Sequence, residues 1–506
     1  MSRMLEQFRA ARRASTPLVA VETPDPAETV DHLMAFVREK EPESQFYRWD
    51  RVRGLVGLDK KAQGTLGALN SNPKQTANPV EALTTCWNLP GSPVCSGSIV
   101  FMLNAQRVID EASVMQSIWN LRDEFKRNKR TLVLLAPSLK LPTEIANDVV
   151  VLDEPYPDRE KLADIVAKQY KNAKLVEPDG KQMAKVLDAI IGLPAYAAET
   201  VVAMSLTRAA NGVDLDLAWN RKVKAISQTQ GLSVWRGTDR LEDVKGVDQA
   251  VKFFRLMDAT DAYSTIVFID EMEKALAGGM SNYSGDSGVS KDQVGYLLSY
   301  MEDMKAQGAM LAGVAGTGKT QLVKGLAGST GKPLIKLDLG EMKGGKIGSS
   351  EQAIRAAGKT ITATSEGRVL FIATANQTAS FTPEINRRFG DQFFFDSPDE
   401  VGRRSLWSLY VRTYGLPPSA MDLHVGQDEG WTGHEIMRIC KRASEFKISL
   451  RQASEFIVPL CVRSKDVLKA QRMEAAGKFL SASYPGPYQM PPEREPVIGD
   501  RLIELE

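Results

Sequence analysis

Residues 313–320 read Gly-Val-Ala-Gly-Thr-Gly-Lys-Thr and decide the fold class of this 506-residue chain. The stretch matches the pattern G-x-x-x-x-G-K-[ST] at every fixed position. An apolar run (309–312) precedes it and a helical pattern (321–327) follows, which is the strand–loop–helix context that the pattern requires. The glycines let backbone N–H groups curl around phosphate oxygens, and the start of the following helix adds positive potential. The stretch therefore predicts a loop that binds nucleotide phosphates.

Two side chains of this loop have chemistry beyond the backbone cradle. Lys319 is expected to reach the β- and γ-phosphates, and Thr320 is expected to bind Mg²⁺. The residues predicted to contact the nucleotide here are Gly313, Val314, Ala315, Gly316, Thr317, Gly318, Lys319, Thr320 and Gln321.

A second signal is an apolar strand, Ser264–Ile269, that ends in the adjacent acids Asp270 and Glu271. Two carboxylates at the end of a buried strand are costly unless they meet a cation or solvent at the sheet edge. We expect Asp270 to hold Mg²⁺ through water and Glu271 to polarise the attacking water. The alternative is a strand that simply runs into a charged helix start, Asp-Glu-Met-Glu-Lys.

A third signal is the buried strand at 369–375, which ends in the polar amide of Asn376. Asn376 is placed to orient the lytic water from a neighbouring strand. The basic pair Arg387 and Arg388 follows soon after, and an arginine in such a place can reach the γ-phosphate of an adjacent subunit. The alternative for the pair is an ordinary surface helix end.

Together these residues resemble the AAA branch of the AAA+ ATPases over about residues 240–455. The resemblance includes the segment Leu241–Gly246, which in that family passes near the adenine, and it implicates Val244 and Gly246 in nucleotide binding. It also includes Gly430–Ile436, similar to the turn that opens a lid helix, with Gly433 and His434 as binding residues. The resemblance implies ATP and Mg²⁺ as cofactors, hydrolysis, and assembly into a ring homo-oligomer, often a hexamer.

A narrower likeness covers nearly the whole chain. The stretches at 51–55, 78–83, 134–142 and 152–158 are similar to the N-terminal half of little-characterised AAA proteins of plastid genomes and cyanobacteria. The cellular role of that group is poorly defined, so the likeness adds little about the substrate.

The chain departs from the family in the order of its motifs. The acid-bearing strand (264–271) comes before the phosphate loop (313–320), whereas the family order is the reverse. Ligands of an open parallel sheet bind at the carboxyl edge of the strands, whatever the order of those strands in the chain. We therefore predict an intact site on a permuted sheet, with right-handed crossovers supplied by the helical stretches 291–304 and 350–359.

The loop that lines the central pore of AAA motors is also different. The chain has Gly344-Gly-Lys346-Ile-Gly348 where an aromatic–aliphatic pair is expected. Lys346 would attract anionic segments or phosphate rather than pack between the side chains of a threaded polypeptide. The alternative is a loop that is merely flexible.

The first half has the pattern of a nucleotide-binding fold without the phosphate loop. Strand-like runs at 18–22, 46–49, 98–103, 131–135 and 149–152 alternate with amphipathic stretches, which predicts a parallel α/β sheet. The first strand leads into Glu-Thr-Pro-Asp-Pro, with no glycine and no lysine. The polar, Gly/Asn/Pro-rich residues 60–80 are interpreted as a mobile loop.

The predicted fold class is α/β, a P-loop NTPase with a permuted parallel sheet and a helical lid. The predicted divisions are a degenerate α/β domain (1–157), a helical subdomain (158–230), an ATPase core (231–398), a lid (399–483, ending in a helix over 465–483) and a Pro-rich tail (484–506). The tail is interpreted as either disordered or strapped onto a neighbouring subunit.

The composition of the chain argues against several functional classes of protein. Lysine and arginine (64) balance aspartate and glutamate (63), which argues against binding of nucleic acid or membrane by bulk charge. No apolar run approaches the ~18–20 residues that span a bilayer, and no secretory signal is evident. Four scattered cysteines indicate reduced thiols, so the predicted location is cytoplasmic.

The predicted function is ATP-driven remodelling of a protein or nucleoprotein partner recruited by the N-terminal half. One alternative is an ATP-dependent switch or binding module with slow turnover and no threading, which the lysine-bearing loop favours. The other is a motor that acts on DNA.

Overall fold

The structure is a computed structural model, and it describes residues 3–91, 97–207, 211–277, 287–342, 349–377, 381–419 and 428–492. The chain divides into two compact units, residues 1–219 and 220–506. The five-part division expected from the sequence stays a prediction.

The N-terminal unit contains a six-stranded sheet in the order β3-β2-β4-β5-β1-β6. All neighbours are parallel except β2 and β3, which form an antiparallel pair. A small antiparallel pair, β7 and β8, lies outside it. The strands are β1 (Leu18–Glu22), β2 (Phe46–Asp50), β3 (Gly54–Gly57), β4 (Ile99–Leu103), β5 (Thr131–Ala136), β6 (Val149–Asp153), β7 (Leu206–Thr207) and β8 (Gly212–Val213).

Helices pack on both faces of this sheet in two apolar cores. The inner strands β1, β4 and β5 are therefore almost entirely buried and have continuous apolar sequences, whereas the edge strand β6 has two exposed valines. The helices of this unit are α1 (Arg3–Arg13), α2 (Pro26–Arg38), α3 (Lys60–Ala68), α4 (Pro73–Thr76), α5 (Pro79–Cys86), α6 (Ala112–Arg127), α7 (Arg159–Asn172), α8 (Gly180–Ile190) and α9 (Ala195–Ser205), and α10 (Leu215–Ser227) runs across the division. The five strands predicted from the apolar runs are present, whereas β3 was not predicted.

The interpretation of residues 60–80 as a mobile loop is wrong, because these residues form α3, α4 and the start of α5. Each helix begins at a side-chain cap followed, in two cases, by proline in the first turn. Asn72 caps α4 ahead of Pro73, and Asn78 caps α5 ahead of Pro79. Asparagine and proline act here as helix starts rather than as loop formers.

The start of α2 presents different groups from those of a phosphate loop. Asp25 accepts a hydrogen bond from the N–H of Glu28 at the first turn, and Thr29 donates its hydroxyl to Glu154. Carboxylates thus occupy the region where a phosphate loop would offer N–H groups to an anion. The absence of a glycine-rich turn in the sequence has this structural counterpart.

The C-terminal unit is built on a seven-stranded sheet in the order β15-β14-β11-β13-β10-β12-β9. Its neighbours are parallel, except that β9 runs antiparallel to β12 at one edge. The strands are β9 (Leu232–Trp235), β10 (Thr265–Ile269), β11 (Gln307–Gly313), β12 (Leu334–Leu337), β13 (Val369–Ala375), β14 (Asp391–Phe395) and β15 (Leu480–Ser481).

Two apolar cores, one on each face, bury this sheet, and a separate core holds the helices after β14 together. The remaining helices are α11 (Asp248–Ala259), α12 (Met272–Ala277), α13 (Ser287–Asp303), α14 (Lys319–Thr330), α15 (Ser349–Ser365), α16 (Pro383–Arg388), α17 (Glu400–Thr413), α18 (Gly433–Phe446), α19 (Leu450–Ser454), α20 (Leu460–Arg463) and α21 (Lys465–Ala475).

The end of the chain differs from its prediction. The helix expected over 465–483 ends at Ala475, and β15 then pairs with β14. Residues 484–492 are neither disordered nor separate, because the buried Tyr488 packs its ring on Phe394, with 4.5 Å between ring centroids. This part of the proline-rich tail therefore belongs to the core of its own chain, whereas 493–506 lie outside the described residues.

Candidate nucleotide site

One cavity of about 540 Å³ lies at the carboxyl ends of the strands of the C-terminal unit. Most of the predicted site residues line it, although they come from widely separated parts of the chain. Those that do are Val244, Gly246, Asp270, Glu271, Ala315, Gly316, Thr317, Gly318, Lys319, Thr320, Gln321, Asn376, Gly433 and His434.

The sheet brings the acids and the phosphate loop together despite their reversed order in the chain. Strand β13 lies between the two, pairing with the acid-bearing β10 on one side and with β11 on the other. All three strands run parallel, so their carboxyl ends meet at the same edge of the sheet. The prediction that motif order need not separate the motifs in space agrees with this geometry.

The phosphate loop has a backbone that only glycine adopts easily. Gly313, Gly316 and Gly318 have positive φ values of 129°, 81° and 95°. A Cβ at position 313 would lie 2.3 Å from the carbonyl oxygen of Phe395, and one at 316 would lie 2.9 Å from the Cβ of His434. The loop thus combines positive φ values, which would strain a residue with a Cβ, with close approach of its neighbours, which explains the glycine spacing.

Lys319 begins α14 and is almost completely buried. Its Nζ donates to the carbonyl oxygens of Gly313 and Val314, both at 2.8 Å. Burial lowers the pKa of Lys319 to about 8, against the opposing effect of the nearby carboxylates of Glu273, Asp270 and Glu271. An ammonium group held in this way is ready to exchange loop carbonyls for phosphate oxygens.

Asp270 is held by hydroxyl groups from both sides. Thr374 on β13 donates to its Oδ1 at 2.8 Å, and Thr320 donates to the same oxygen at 3.4 Å. Lys336 on β12 lies 3.6 Å from the other carboxylate oxygen. Thr320 and Asp270 therefore offer adjacent oxygen ligands, the type that Mg²⁺ prefers.

This donor set fits a magnesium ion that is shared with phosphates. Among the described residues, no group of three His, Cys, Asp or Glu side chains could hold a metal alone. Mg²⁺ in nucleotide sites takes one or two protein ligands and completes its shell with phosphate and water. A hydroxyl and a carboxylate side by side are therefore enough.

Glu271 and Asn376 also meet at this edge. The Asn376 amide nitrogen lies 3.5 Å from a Glu271 carboxylate oxygen, and Glu271 has a left-handed φ of 52°. Lys274, one turn on, forms an ion pair with the same carboxylate. The backbone N–H of Asn376 donates to Glu273 at 3.0 Å, which fixes β13 against the start of α12.

Apolar side chains also line the cavity. Val244 and Gly246 line it together with Pro398, Leu406 and Tyr410. The lid helix α18 closes on the phosphate loop, because the N–H of His434 donates to the carbonyl of Gly316 at 3.0 Å. A capping box between Thr432 and Glu435 fixes the first turn of that helix.

The two arginines lie apart from the cavity lining of their own chain. They end α16, where Arg388 forms an ion pair with Glu302 of α13. Arg387 is exposed. The structure therefore distinguishes two residues that the sequence left equivalent, and Arg387 is the one free to face another molecule.

Sequence reasoning missed two residues at the site. Thr374 looks like an ordinary strand former, yet its hydroxyl accepts from the N–H of Glu271 at 3.0 Å and donates to Asp270. Asp396, which follows β14 and lines the cavity, accepts from Arg472 at 2.8 Å and from the Tyr488 hydroxyl at 2.6 Å. The signal for Asp396 was a carboxylate at a strand end, as for Asp270.

Two protein-family models match this chain, each over part of one unit. The family model for the N-terminal domain of SpoVK-like AAA ATPases matches residues 4–154, and that for the ATPase family associated with various cellular activities (AAA) matches residues 309–372. The chain carries an AAA ATPase domain. The acid-bearing strand of this AAA domain, β10, lies before the matched segment, as the reversed motif order requires.

One relative is similar to this chain over nearly its full length, and others are similar over parts of it. An uncharacterized AAA domain-containing protein ycf46 from Guillardia theta is 21% identical, covering 95% of this chain and 96% of the relative. The ycf46 protein from Gracilaria tenuistipitata var. liui is 22% identical, covering 68% of this chain and 70% of the relative. The mouse nuclear valosin-containing protein-like protein is 22% identical over 44% of this chain and 31% of its own length. The resemblance to plastid AAA proteins is thereby confirmed.

Two further predictions concern membrane-spanning helices and the pore loop. In the ranges that the structure describes, no helix is long and apolar enough to cross a membrane. The pore-loop residues 344–348, with Lys346, lie outside the described residues.

Proposed function

We propose that this protein binds ATP with Mg²⁺ in the cavity of its C-terminal unit and hydrolyses it. The observation that carries the proposal is the convergence of Lys319, Thr320, Asp270, Glu271 and Asn376 on one sheet edge. A loop built for phosphate, an oxygen pair suited to Mg²⁺, and a carboxylate with an amide beside it are the parts that phosphoryl transfer to water requires.

Each residue has a defined task in this reaction. Lys319 neutralises charge on the terminal phosphates, and the N–H groups at the start of α14 bind their oxygens. Thr320 and Asp270 would hold Mg²⁺, which would supply positive charge to offset the negative charge that develops on the phosphates. Glu271 accepts a proton from the attacking water, which the Asn376 amide orients.

The ring assembly is part of the proposal. Arg387 is exposed and outside the cavity lining of its own chain, so we assign it to the nucleotide of a neighbouring copy. An arginine donated across a subunit interface stabilises charge only in the assembled state, so hydrolysis would depend on oligomerisation. A hexamer is the expected ring, and remodelling of a partner bound by the N-terminal unit is the expected work.

The test uses two pairs of substitutions in the full-length protein, each a site variant with a matched control. Lys319→Ala is expected to abolish ATP binding, whereas Lys252→Ala, at an exposed lysine on α11, is expected to leave it unchanged. Glu271→Gln is expected to bind ATP without turnover, whereas Glu445→Gln on the lid keeps the normal rate. Equal loss in a variant and its control, or full activity in Glu271→Gln, would contradict the proposal.

A slow nucleotide switch is the second candidate, because of one contact. Lys274 competes for the Glu271 carboxylate that must accept a proton from water. A remodelling motor is expected to turn over at about 1 s⁻¹ or faster and to be stimulated by its partner, whereas a switch turns over more slowly. The Lys274→Ala substitution removes the competing ammonium group. It is expected to raise the ATPase rate of a switch and to leave the ATPase rate of a motor nearly unchanged.

A further inference from the structure

A second cavity, of about 270 Å³, lies in the N-terminal unit between α1 and α2. Its apolar part is formed by Phe8, which is fully buried, and by the half-buried ring of Phe36. Its rim is basic, with Arg9, Arg13 and Lys40 among the lining residues. The cavity thus combines an apolar floor with concentrated positive charge.

The floor of the cavity contains a buried guanidinium that is only partly satisfied. Arg12 donates to the carbonyl of Lys129 at 2.7 Å and to the Thr131 hydroxyl at 3.0 Å, and it forms an ion pair with Glu41. Its Nε is buried and has no hydrogen-bond partner within the part of the chain that the structure describes. A buried donor without a partner is costly, and a bound water, ion or ligand group can satisfy it.

The charges of the lining do not cancel. Of its ionisable residues, four are cationic and one, Glu41, is anionic, and Glu41 already pairs with Arg12. Lys40 in turn lies 3.6 Å from a carboxylate oxygen of Glu39, which is outside the lining. Arg9 and Arg13 are therefore the rim cations that form no ion pair within the part of the chain that the structure describes, and Arg9 also stacks on Phe36, with 4.4 Å from its guanidinium carbon to the ring centroid. An anionic group would be attracted to this rim at moderate salt.

The volume of the cavity indicates which kind of anionic ligand it can hold. Pockets for nucleotides and cofactors generally enclose about 300–1,000 Å³ and have several converging polar groups. A cavity just below that range, whose accessible aromatic surface comes from the half-buried ring of Phe36, accommodates one apolar side chain. The ligand that matches is an extended peptide whose apolar residue enters the cavity while flanking Asp or Glu side chains meet the rim.

We propose that this cavity is a docking site for an acidic segment of a partner protein. The segment has a Phe, Leu or Trp anchor flanked by carboxylates. An aromatic or aliphatic anchor supplies most of the affinity in such interfaces, and the flanking charges supply specificity and rate. The site belongs to the N-terminal unit and binds without ATP, so its failure would leave the proposed ATPase activity standing.

The test uses fluorescein-labelled heptapeptides and the full-length protein. The central residue is Phe, Leu or Ala, and the flanking residues are Glu, Lys or Gln. Fluorescence anisotropy is expected to show binding of Glu-flanked Phe and Leu peptides, at least tenfold weaker binding of the Ala peptide, and none with Lys flanks. Affinity should fall as salt rises. Equal binding of Gln-flanked and Glu-flanked peptides would overturn the proposal.

Charge reversal localises the binding. The double substitution Arg13→Glu and Lys40→Glu, both at exposed positions, is expected to weaken the binding of Glu-flanked peptides at least tenfold. The control is Arg127→Glu combined with Lys185→Glu, exposed positions elsewhere in the same unit, which should have no effect. Unchanged binding in the first double variant would refute the site. So would tighter binding of a six-nucleotide single-stranded DNA that is lost in that variant, because it would assign the rim to nucleic acid.

Discussion

The hydroxyl of Thr374 donates to Asp270 at 2.8 Å and accepts from the backbone N–H of Glu271 at 3.0 Å. This one side chain on β13 therefore fixes both acids of the neighbouring strand β10. Strand β13 also lies between β10 and the phosphate-loop strand β11, so Thr374 belongs to the strand that joins the two motifs whose chain order is reversed.

Removal of the Thr374 hydroxyl should damage catalysis without unfolding the sheet. Thr374→Val keeps the branched shape but leaves the Glu271 N–H and the Asp270 carboxylate each short of a partner, which costs about 1–3 kcal/mol. We expect kcat/KM for ATP to fall at least about tenfold and the Mg²⁺ requirement to rise. Thr374→Ser, which retains the hydroxyl, should stay within a few-fold of the normal rate. A Val variant as active as the Ser variant would show that the bond has no role.

The pKa of Lys319 predicts how nucleotide affinity depends on pH. Burial lowers this pKa to about 8, whereas bound phosphate favours the charged ammonium and raises it. Affinity should therefore be flat below pH 8 and fall above it, by about tenfold at pH 9. Calorimetry of ADP binding in two buffers at pH 9 should detect uptake of more than half a proton. Lys319→Ala, if it binds at all, should take up none; the absence of uptake by the normal protein would contradict the assignment.

The difference between the two arginines can be tested by mixing subunits. Arg387→Ala should abolish hydrolysis but keep ATP binding, whereas Arg388→Ala, which loses only a pair with Glu302, should keep most activity. Lys319→Ala subunits still carry Arg387, and Arg387→Ala subunits still bind ATP. A mixture of these two inactive variants should regain measurable ATPase activity, because the arginine acts across the interface. A mixture that stays inactive would count against action in trans.

The C-terminal tail should contribute to stability. Tyr488 is buried against Phe394, and its hydroxyl donates to Asp396. Tyr488→Ala should lower the free energy of unfolding by about 3–5 kcal/mol and Tyr488→Phe by about 1 kcal/mol, measured by denaturant titration. Tyr484→Ala, at a residue that is 39% exposed, should cost less than half as much. Equal costs at the two positions would show that the tail is not part of the core.

The sequence was most informative where one short stretch determines the local structure. Glycine spacing specified the phosphate loop, and buried apolar runs located β10 and β13, because these features depend on local backbone geometry and burial. It was least informative about contacts between distant strands. Thr374 has no local mark of its role, since a threonine inside a strand is ordinary until its neighbours are known.

The errors have equally specific causes. Residues 60–80 were interpreted as a loop from their composition, although Asn72-Pro73 and Asn78-Pro79 are helix-start pairs. Tyr488 was assigned to a tail because Pro and Gly surround it, but its burial depends on β14, nearly a hundred residues earlier in the chain. The helices in 60–80 thus follow from local signals, whereas the burial of Tyr488 depends on tertiary packing and has no local pattern that predicts it.

The central claim is that acids and a phosphate loop in reversed chain order form one ATP·Mg²⁺ site. A cryo-electron microscopy structure of the Glu271→Gln protein with ATP and Mg²⁺ tests it most directly. We predict that the γ-phosphate contacts Lys319 and that Mg²⁺ lies between Thr320 and Asp270, with the substituted side chain at position 271 facing the phosphate. Nucleotide bound elsewhere, or bound at the loop with Asp270 and residue 271 remote from its phosphates, would contradict the account.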